Sequence, residues 1–360
     1  MVYKTFSCNE LETLTGKYTD VINKELNGSV LLFVKFGARL LGMFPDGEGD
    51  NVLWVNQELE KMLQISQAMI GGERLWISPE KSFFYENPRD FEGHRIPSEI
   101  DPGDYSCIRN DEEIIYENVF SLLEYDKNEL FDNSIEKRQF KIISDPYNTG
   151  LPFVGVKITD TIIINDLNIE MSAWSHTQVY TCGPENPGTV LFPVRQNSAF
   201  INYFNTIPEN KGSIYYEYAV CKIDAQKFYK IAISPDDTVE NNPCKIVYLS
   251  QTESNKSIWK CVIKRSLDLP KNQNECLDIS KHNPKGLKGA IQILNPGYSL
   301  SYELMHPYGE LEFHFPRGIP VGDQTISKAD HELLSYLGSK KDILELARTA
   351  LKINYLPVIY

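Results

Sequence analysis

A long succession of short β-branched and aromatic runs, parted by glycine, proline, asparagine and aspartate, constrains this chain most. Residues 30–36 form a dense run of this kind and read as a buried strand. Gly37-Ala38-Arg39 turns the chain, and 40–44 returns. The pattern continues at 51–56, 112–126, 140–144, 154–158, 161–164 and 168–179. Further runs follow at 189–194, 213–221, 228–233, 245–249, 259–264, 289–294, 298–305 and 310–315. So many strands in 360 residues predict an all-β chain, a β-sandwich forming one large domain of two sheets rather than several small modules. The polar opening, to about Lys24, predicts a short helix or an edge element, and 57–69 predicts a helix. Residues 81–111 carry Pro88, Pro97 and Pro102 and predict a long loop. Near the end, Ser327-Lys328-Ala329-Asp330 and Ser339-Lys340-Lys341-Asp342 both have the form of a capping box. They predict two short helices, with Gly338 closing the first. The expected division is a β domain over 1–322 and a helical extension over 323–360, packed back on it.

Composition narrows the function. A net charge of −13 and no concentrated Lys/Arg cluster argue against nucleic acid as partner. No run has the length of a membrane span, and Met1 to Cys8 lacks the basic and apolar regions of a signal peptide. Seven scattered cysteines without a Cys-x-x-Cys pair predict neither a disulfide framework nor a zinc site, and point to a reducing, cytoplasmic setting. No Gly-x-Gly-x-x-Gly, P-loop or Gly-x-Ser-x-Gly is present, so no cofactor and no metal are expected.

Gly71-Gly72-Glu73-Arg74-Leu75-Trp76-Ile77-Ser78-Pro79-Glu80 is the most informative stretch. Two glycines permit a turn that bulkier residues resist. The alternation that follows puts Leu75 and Ile77 on one face, and Arg74, Trp76 and Ser78 on the other. Pro79 then ends the ladder. A guanidinium and an indole aimed one way suit a polyhydroxylated ligand. A structural hairpin with a half-buried tryptophan is the plainer alternative.

Two more strands carry chemistry. In Glu310-Leu311-Glu312-Phe313-His314-Phe315 the period of two gathers Glu310, Glu312 and His314 on one face. Two carboxylates and an imidazole there suit acid–base work or a divalent cation. A solvated outer face would show the same pattern. In residues 171–179, Trp174, His176 and Gln178 share a face, which suits a sugar ring stacked on one side and hydrogen-bonded on the other. A lone structural histidine is the alternative.

At these places the sequence resembles the galactose mutarotase-like superfamily, the aldose 1-epimerases and their relatives. Gly37-Ala38-Arg39 followed by Asn51-Val52-Leu53-Trp54 is similar to the family's opening. Gly71 to Glu80 resembles the segment that leads into the sugar site, and residues 165–179 resemble the strand ending Trp-x-x-Thr-Gln-Val. Tyr229-Lys230-Ile231 and Gly309-Glu310-Leu311-Glu312 match more weakly. The resemblance implies a large antiparallel β-supersandwich, here with a short helical C-terminal extension. It implies Glu312 as the base for an anomeric hydroxyl and His176 as the acid for the ring oxygen. Arg74, Trp76, Glu80, His94, Trp174, Lys230, Glu310 and His314 are then expected to contact a sugar or sugar acid.

The chain also departs from the family. Arg74 and Trp76 stand where the epimerases carry their first histidine, with His94 a distant substitute. Pro316-Arg317-Gly318 replaces the usual Pro-Asp-Ala-x-Asn. Three readings stay open: an aldose mutarotase or epimerase, a sugar-binding module without chemistry, and a domain related to polysaccharide lyases or hydrolases.

Overall fold

Alternation in sequence becomes alternation in burial. Along Glu113–Glu124 and Phe153–Ile164 nearly every second residue is buried, so each strand shows one face to a core. The computed structural model describes residues 5–181, 183–239, 244–297 and 308–360. Strands are numbered in chain order. A nine-stranded antiparallel sheet runs β1 (Val21–Leu26), β2 (Ser29–Val34), β3 (Arg39–Phe44), β4 (Glu73–Ser78), β11 (Ser172–Tyr180), β20 (Tyr308–His314), β19 (Ile291–Asn295), β16 (Tyr229–Ile233) and β13 (Ile201–Asn202).

An eleven-stranded sheet begins β14 (Gly212–Ile214), β15 (Tyr218–Ile223), β12 (Gly188–Pro193), β17 (Cys244–Gln251) and β18 (Trp259–Ser266). It continues β22 (Gln324–Gly338), β10 (Phe153–Ile164), β9 (Glu129–Ile142), β8 (Glu113–Glu124) and β7 (Ser106–Arg109), with β21 (Ile319–Val321) on β22. β5 (Tyr85–Asn87) and β6 (Glu92–His94) form a separate hairpin.

The two large sheets stack face to face over one apolar core, to which Phe33, Leu75, Ile77, Ile158, Leu311, Phe313 and Leu333 contribute. Charges are buried there too. Arg138 of β9 bridges the sheets, donating to Asp160 at 2.8 Å and to Glu73 at 2.7 Å. Asp160 also meets His331 at 3.1 Å. All four side chains are buried, and the pairing is what makes that tolerable.

Helices close the outer faces. Cys8–Thr15, capped reciprocally by Ser7 and Glu10, packs with Leu59–Gln64 over the β2–β3 end of the nine-stranded sheet. The C-terminal helix Lys340–Leu351, capped by Ser339, lays Ile343, Leu346, Ala347, Ala350 and Leu351 on the outside of the eleven-stranded sheet. The fold is an all-β antiparallel supersandwich with a short helical C-terminal extension, as expected.

Several element boundaries differ from the sequence expectation. Residues 324–338, expected to open with a helix at Ser327, are β22, the longest strand of the fold, so one C-terminal helix stands where two were expected. The alternation of this segment is met by β10 and β18 on its two sides, and sheet pairing outweighs a local capping motif. Residues 51–56 make only isolated bridges, Leu53 to Val179 and Val55 to Gly71. The expected loop 81–111 holds a helical turn, Glu80–Phe84, the β5–β6 hairpin and β7. The runs 154–158 and 161–164 are one strand, and 213–221 is two. The expected strand at 298–305 lies outside the described residues.

Arg138→Leu leaves Glu73 and Asp160 buried without their cation. Such a loss costs about 3–5 kcal/mol, and urea denaturation of the variant should show a drop of that order.

Candidate functional site

The site begins at two glycines. Gly71 and Gly72 hold φ of 106° and 81°. A Cβ on them would stand 2.2 Å from the Trp54 carbonyl oxygen and 2.5 Å from that of Leu40, so only glycine fits. The turn delivers β4 with Glu73, Leu75 and Ile77 toward the other sheet, and Arg74, Trp76 and Ser78 on the outer face. β11 then pairs Trp174 with Trp76 and His176 with Arg74. On its other side β20 sets His314 opposite Trp174, Glu312 opposite His176 and Glu310 opposite Gln178. β19 places Gln292 opposite Glu312, and β16 adds Lys230. Register alone therefore gathers these side chains on one face of five neighbouring strands.

None of Arg74, Trp76, Trp174, His176, Gln178, Lys230, Glu310, Glu312 and His314 is more than 6 % exposed. A solvated outer face is thus overturned: the cluster is a buried polar site. Glu312 Oε2 accepts from the Trp174 indole at 2.9 Å, pairs with Lys230 Nζ at 2.9 Å and lies 3.5 Å from His314 Nε2. Glu310 Oε1 accepts from Gln178 at 2.7 Å and from Arg74 at 3.3 Å, and Oε2 lies 3.7 Å from His176 Nδ1. The Arg74 guanidinium covers the Trp76 ring at 3.8 Å, and the Trp76 indole donates to Asp101 at 2.7 Å. Trp174 stacks on His314, with ring centroids 4.8 Å apart, and touches His176 at 4.1 Å.

Within this dense bonding several buried polar atoms are left over, among them Arg74 Nε, Gln178 Oε1 and Gln292 Oε1. Glu312 Oε1 and both ring nitrogens of His176 are likewise buried with no hydrogen-bond partner among the described residues. Buried polar atoms in folded proteins are nearly always paired, so such atoms facing one locus call for a ligand.

The charge states follow from the neighbours. Burial acts to raise the Glu312 carboxyl, but the Lys230 ammonium, the His314 contact and His176 outweigh it and hold it down at about 2. Glu312 is an anion at neutral pH. Burial pushes His176 well down; the Glu312 carboxylate opposes this, while Arg74, Lys230 and Lys264 add to it. His176 is a neutral imidazole, able to donate from one nitrogen and accept at the other. Burial also works against the Lys230 charge, but Glu312, Glu80 and Asp278 more than restore it.

Donor atoms of His176, Glu310 and Glu312 come within 4.8 Å of one another, a spacing that admits a metal ion. Lys230 and Arg74 already offset the charge of the two carboxylates there. Glu73, Asp160 and His331 have similar spacing, but Arg138 is bonded into that group.

Two expected site residues lie at the edge of the cluster, Glu80 acting on Lys230 by its charge and donating to Asp278 from its backbone N–H. Glu80 and His94 pair with each other at 3.2 Å, and His94 is largely exposed. The hairpin bearing His94 borders the site through Phe84, whose ring lies 4.9 Å from Trp76 and 5.9 Å from Trp174. Sequence reasoning missed Asp278, which bonds Gln292 at 2.9 Å and lies 3.9 Å from His314, and Asp101, which takes the Trp76 indole. Both lie in irregular segments with no periodicity to mark them. Gln178 was legible as a facing residue, though not as the partner of Glu310.

The chain belongs to a family of unknown function, DUF6786, whose model matches residues 5–356. No curated protein matches it in sequence. Among solved structures it is similar to a candidate aldose 1-epimerase from Escherichia coli K12, with 9 % identity, a TM-score of 0.53, and 89 % of this chain and 99 % of that one covered. It is also similar to a candidate mutarotase, YeaD, from Salmonella typhimurium, with 12 % identity, a TM-score of 0.50, and 90 % and 92 % covered. The fold is therefore the galactose mutarotase-like fold that the sequence resemblance implied.

Lys230→Met removes the strongest support of the Glu312 anion. Glu312, depressed in the folded state, contributes stability that is present above its unfolded value and lost as pH falls toward about 2. In the variant that loss should begin at higher pH, seen as an upward shift of the acid-unfolding midpoint and of the Glu312 carboxyl titration by carbon NMR.

Proposed function

We propose that the chain is a carbohydrate-binding protein of the mutarotase-like type that interconverts the anomers of a free sugar. The observation that carries this reading is the pair of unpartnered buried groups, Glu312 Oε1 and the His176 ring, opposite each other in the β11–β20 ladder. In this scheme Glu312 Oε1 takes the proton of the anomeric hydroxyl while His176 gives its N–H proton to the ring oxygen. The bond from C1 to the ring oxygen breaks and a carbonyl forms at C1. Rotation about C1–C2 and reversal of both transfers closes the other anomer. A neutral imidazole in this role polarises the ring oxygen more than it pre-protonates it.

Trp174 supplies the ring face beside His176, and Gln178, Arg74, Glu310 and His314 hold the surroundings in place. Glu80 and His94 are read as the rim of the site. Arg74 and Lys230 are both engaged by carboxylates, which favours a neutral sugar over a sugar acid. Six described cysteines are unpaired, in keeping with a reducing, cytoplasmic setting. No helix among the described residues is long and apolar enough to cross a membrane. The C-terminal helix is read as a cap on the β domain rather than a unit of its own.

One observation favours the second reading, a binding module without chemistry: burial and the nearby cations keep His176 unprotonated, so it carries no imidazolium proton to give. Polarimetry on freshly dissolved pure anomers of hexoses and pentoses separates the two. The mutarotase reading expects acceleration over buffer, reduced about a hundredfold or more in Glu312→Gln, with the sugar-induced thermal shift retained. A thermal shift without any acceleration in the wild type would leave the binding module.

A further inference from the structure

We propose that Lys264 is a positioning residue for the His176–Glu312 pair, its ammonium holding from behind the two peptide groups on which they are carried. Lys264 belongs to β18, in the opposite sheet, and is wholly buried. Its Nζ donates to the Ser175 carbonyl at 2.9 Å and to the Leu311 carbonyl at 3.1 Å. The Ser175 carbonyl is in the peptide whose N–H is that of His176, and the Leu311 carbonyl is in the peptide whose N–H is that of Glu312. These two residues are direct partners across the β11–β20 ladder. One cation thus ties together, through the sandwich, the strands bearing Glu312 and His176.

The placement is costly. An ammonium in a sheet-to-sheet core is disfavoured against an apolar chain of equal length, and the two carbonyl acceptors are what hold it there. Its other neighbours lock the same strands. Ser175 Oγ donates to Glu73 at 2.7 Å, and Glu73 accepts from Arg138. The charged groups acting on Lys264 are Glu73 of β4, Glu312 of β20, Asp160 of β10 and Arg138 of β9. Burial lowers Lys264 more than the three carboxylates raise it, to about 7. Near neutrality the clamp therefore sits at the edge of its charged state, and the charge-assisted part of both hydrogen bonds weakens as pH rises.

The test uses the full chain, deuterated and labelled with nitrogen-15, because a hydrogen bond to a peptide carbonyl moves the resonance of the amide that follows it. Between pH 5.5 and 8.5 the amides of His176 and Glu312 should move together with one midpoint near 7. In Lys264→Met this joint step should be absent. Polarimetry of the folded variant at pH 6 should show kcat lowered about tenfold with KM nearly unchanged, since positioning acts on the reacting pair rather than on sugar affinity. The kinetic arm rests on the mutarotase reading; the amide arm does not. A wild type without mutarotase activity overturns that reading and leaves the amides to decide the role of Lys264. Where Lys264→Met does not fold, the wild-type titration decides alone. The proposal is overturned if the two amides fail to move, move with separate midpoints, or keep their step in Lys264→Met. An active variant with unchanged kcat overturns it too.

Discussion

The register of β11 between β4 and β20 is the constraint on which the rest of the site depends. A slip of one residue would turn Trp174, His176 and Gln178 into the space between the sheets and bring Ala173, Ser175 and Thr177 to the outer face. Both neighbours are fixed from within. Glu73 of β4 holds Ser175 and Arg138, and Lys264 holds the carbonyls of β11 and β20. The interior charges and the outer site are two faces of the same three strands.

Much of the buried charge here is tolerated because ions meet partners across a strand or a sheet. Glu312 with Lys230, Glu310 with Arg74, and Asp101 with Arg39 are separate pairs within one region. The departures from the epimerase pattern acquire a physical sense in this setting. Arg74 and Trp76, standing where a histidine is usual, form a stacked pair that anchors Glu310 and is itself tied to Asp101. The distinctive Gly-Gly-Glu-Arg-Leu-Trp stretch thus supplies a wall of the site on one strand face and a bridge to the other sheet on the opposite one.

How much of this was legible in the sequence follows from how local the signal was. Period-two alternation placed Arg74 with Trp76, Trp174 with His176, and Glu310 with Glu312 and His314 on common faces, because side-chain direction in a strand is set by parity alone. Which strands lie side by side is set by pairings between residues distant in the chain, such as Trp174 with Trp76 and with His314, and only the family resemblance brought those faces together. Asp101, Asp278 and Lys264 were invisible for the same reason: each reaches its partner from a loop or from the opposite sheet. Ser327 misled because a capping motif is a four-residue signal, whereas β22 is fixed along its length by two neighbouring strands.

A bound sugar would supply the hydrogen-bond partners that Glu312 Oε1 and the His176 ring lack among the described residues. A crystal structure of the protein soaked with a free hexose tests this most directly. The expected result is a sugar ring beside Trp174, its anomeric hydroxyl within hydrogen-bond distance of Glu312 Oε1 and its ring oxygen within reach of a His176 nitrogen. A sugar bound elsewhere, or ordered water or a metal ion joining those same atoms with the sugar present, would contradict it.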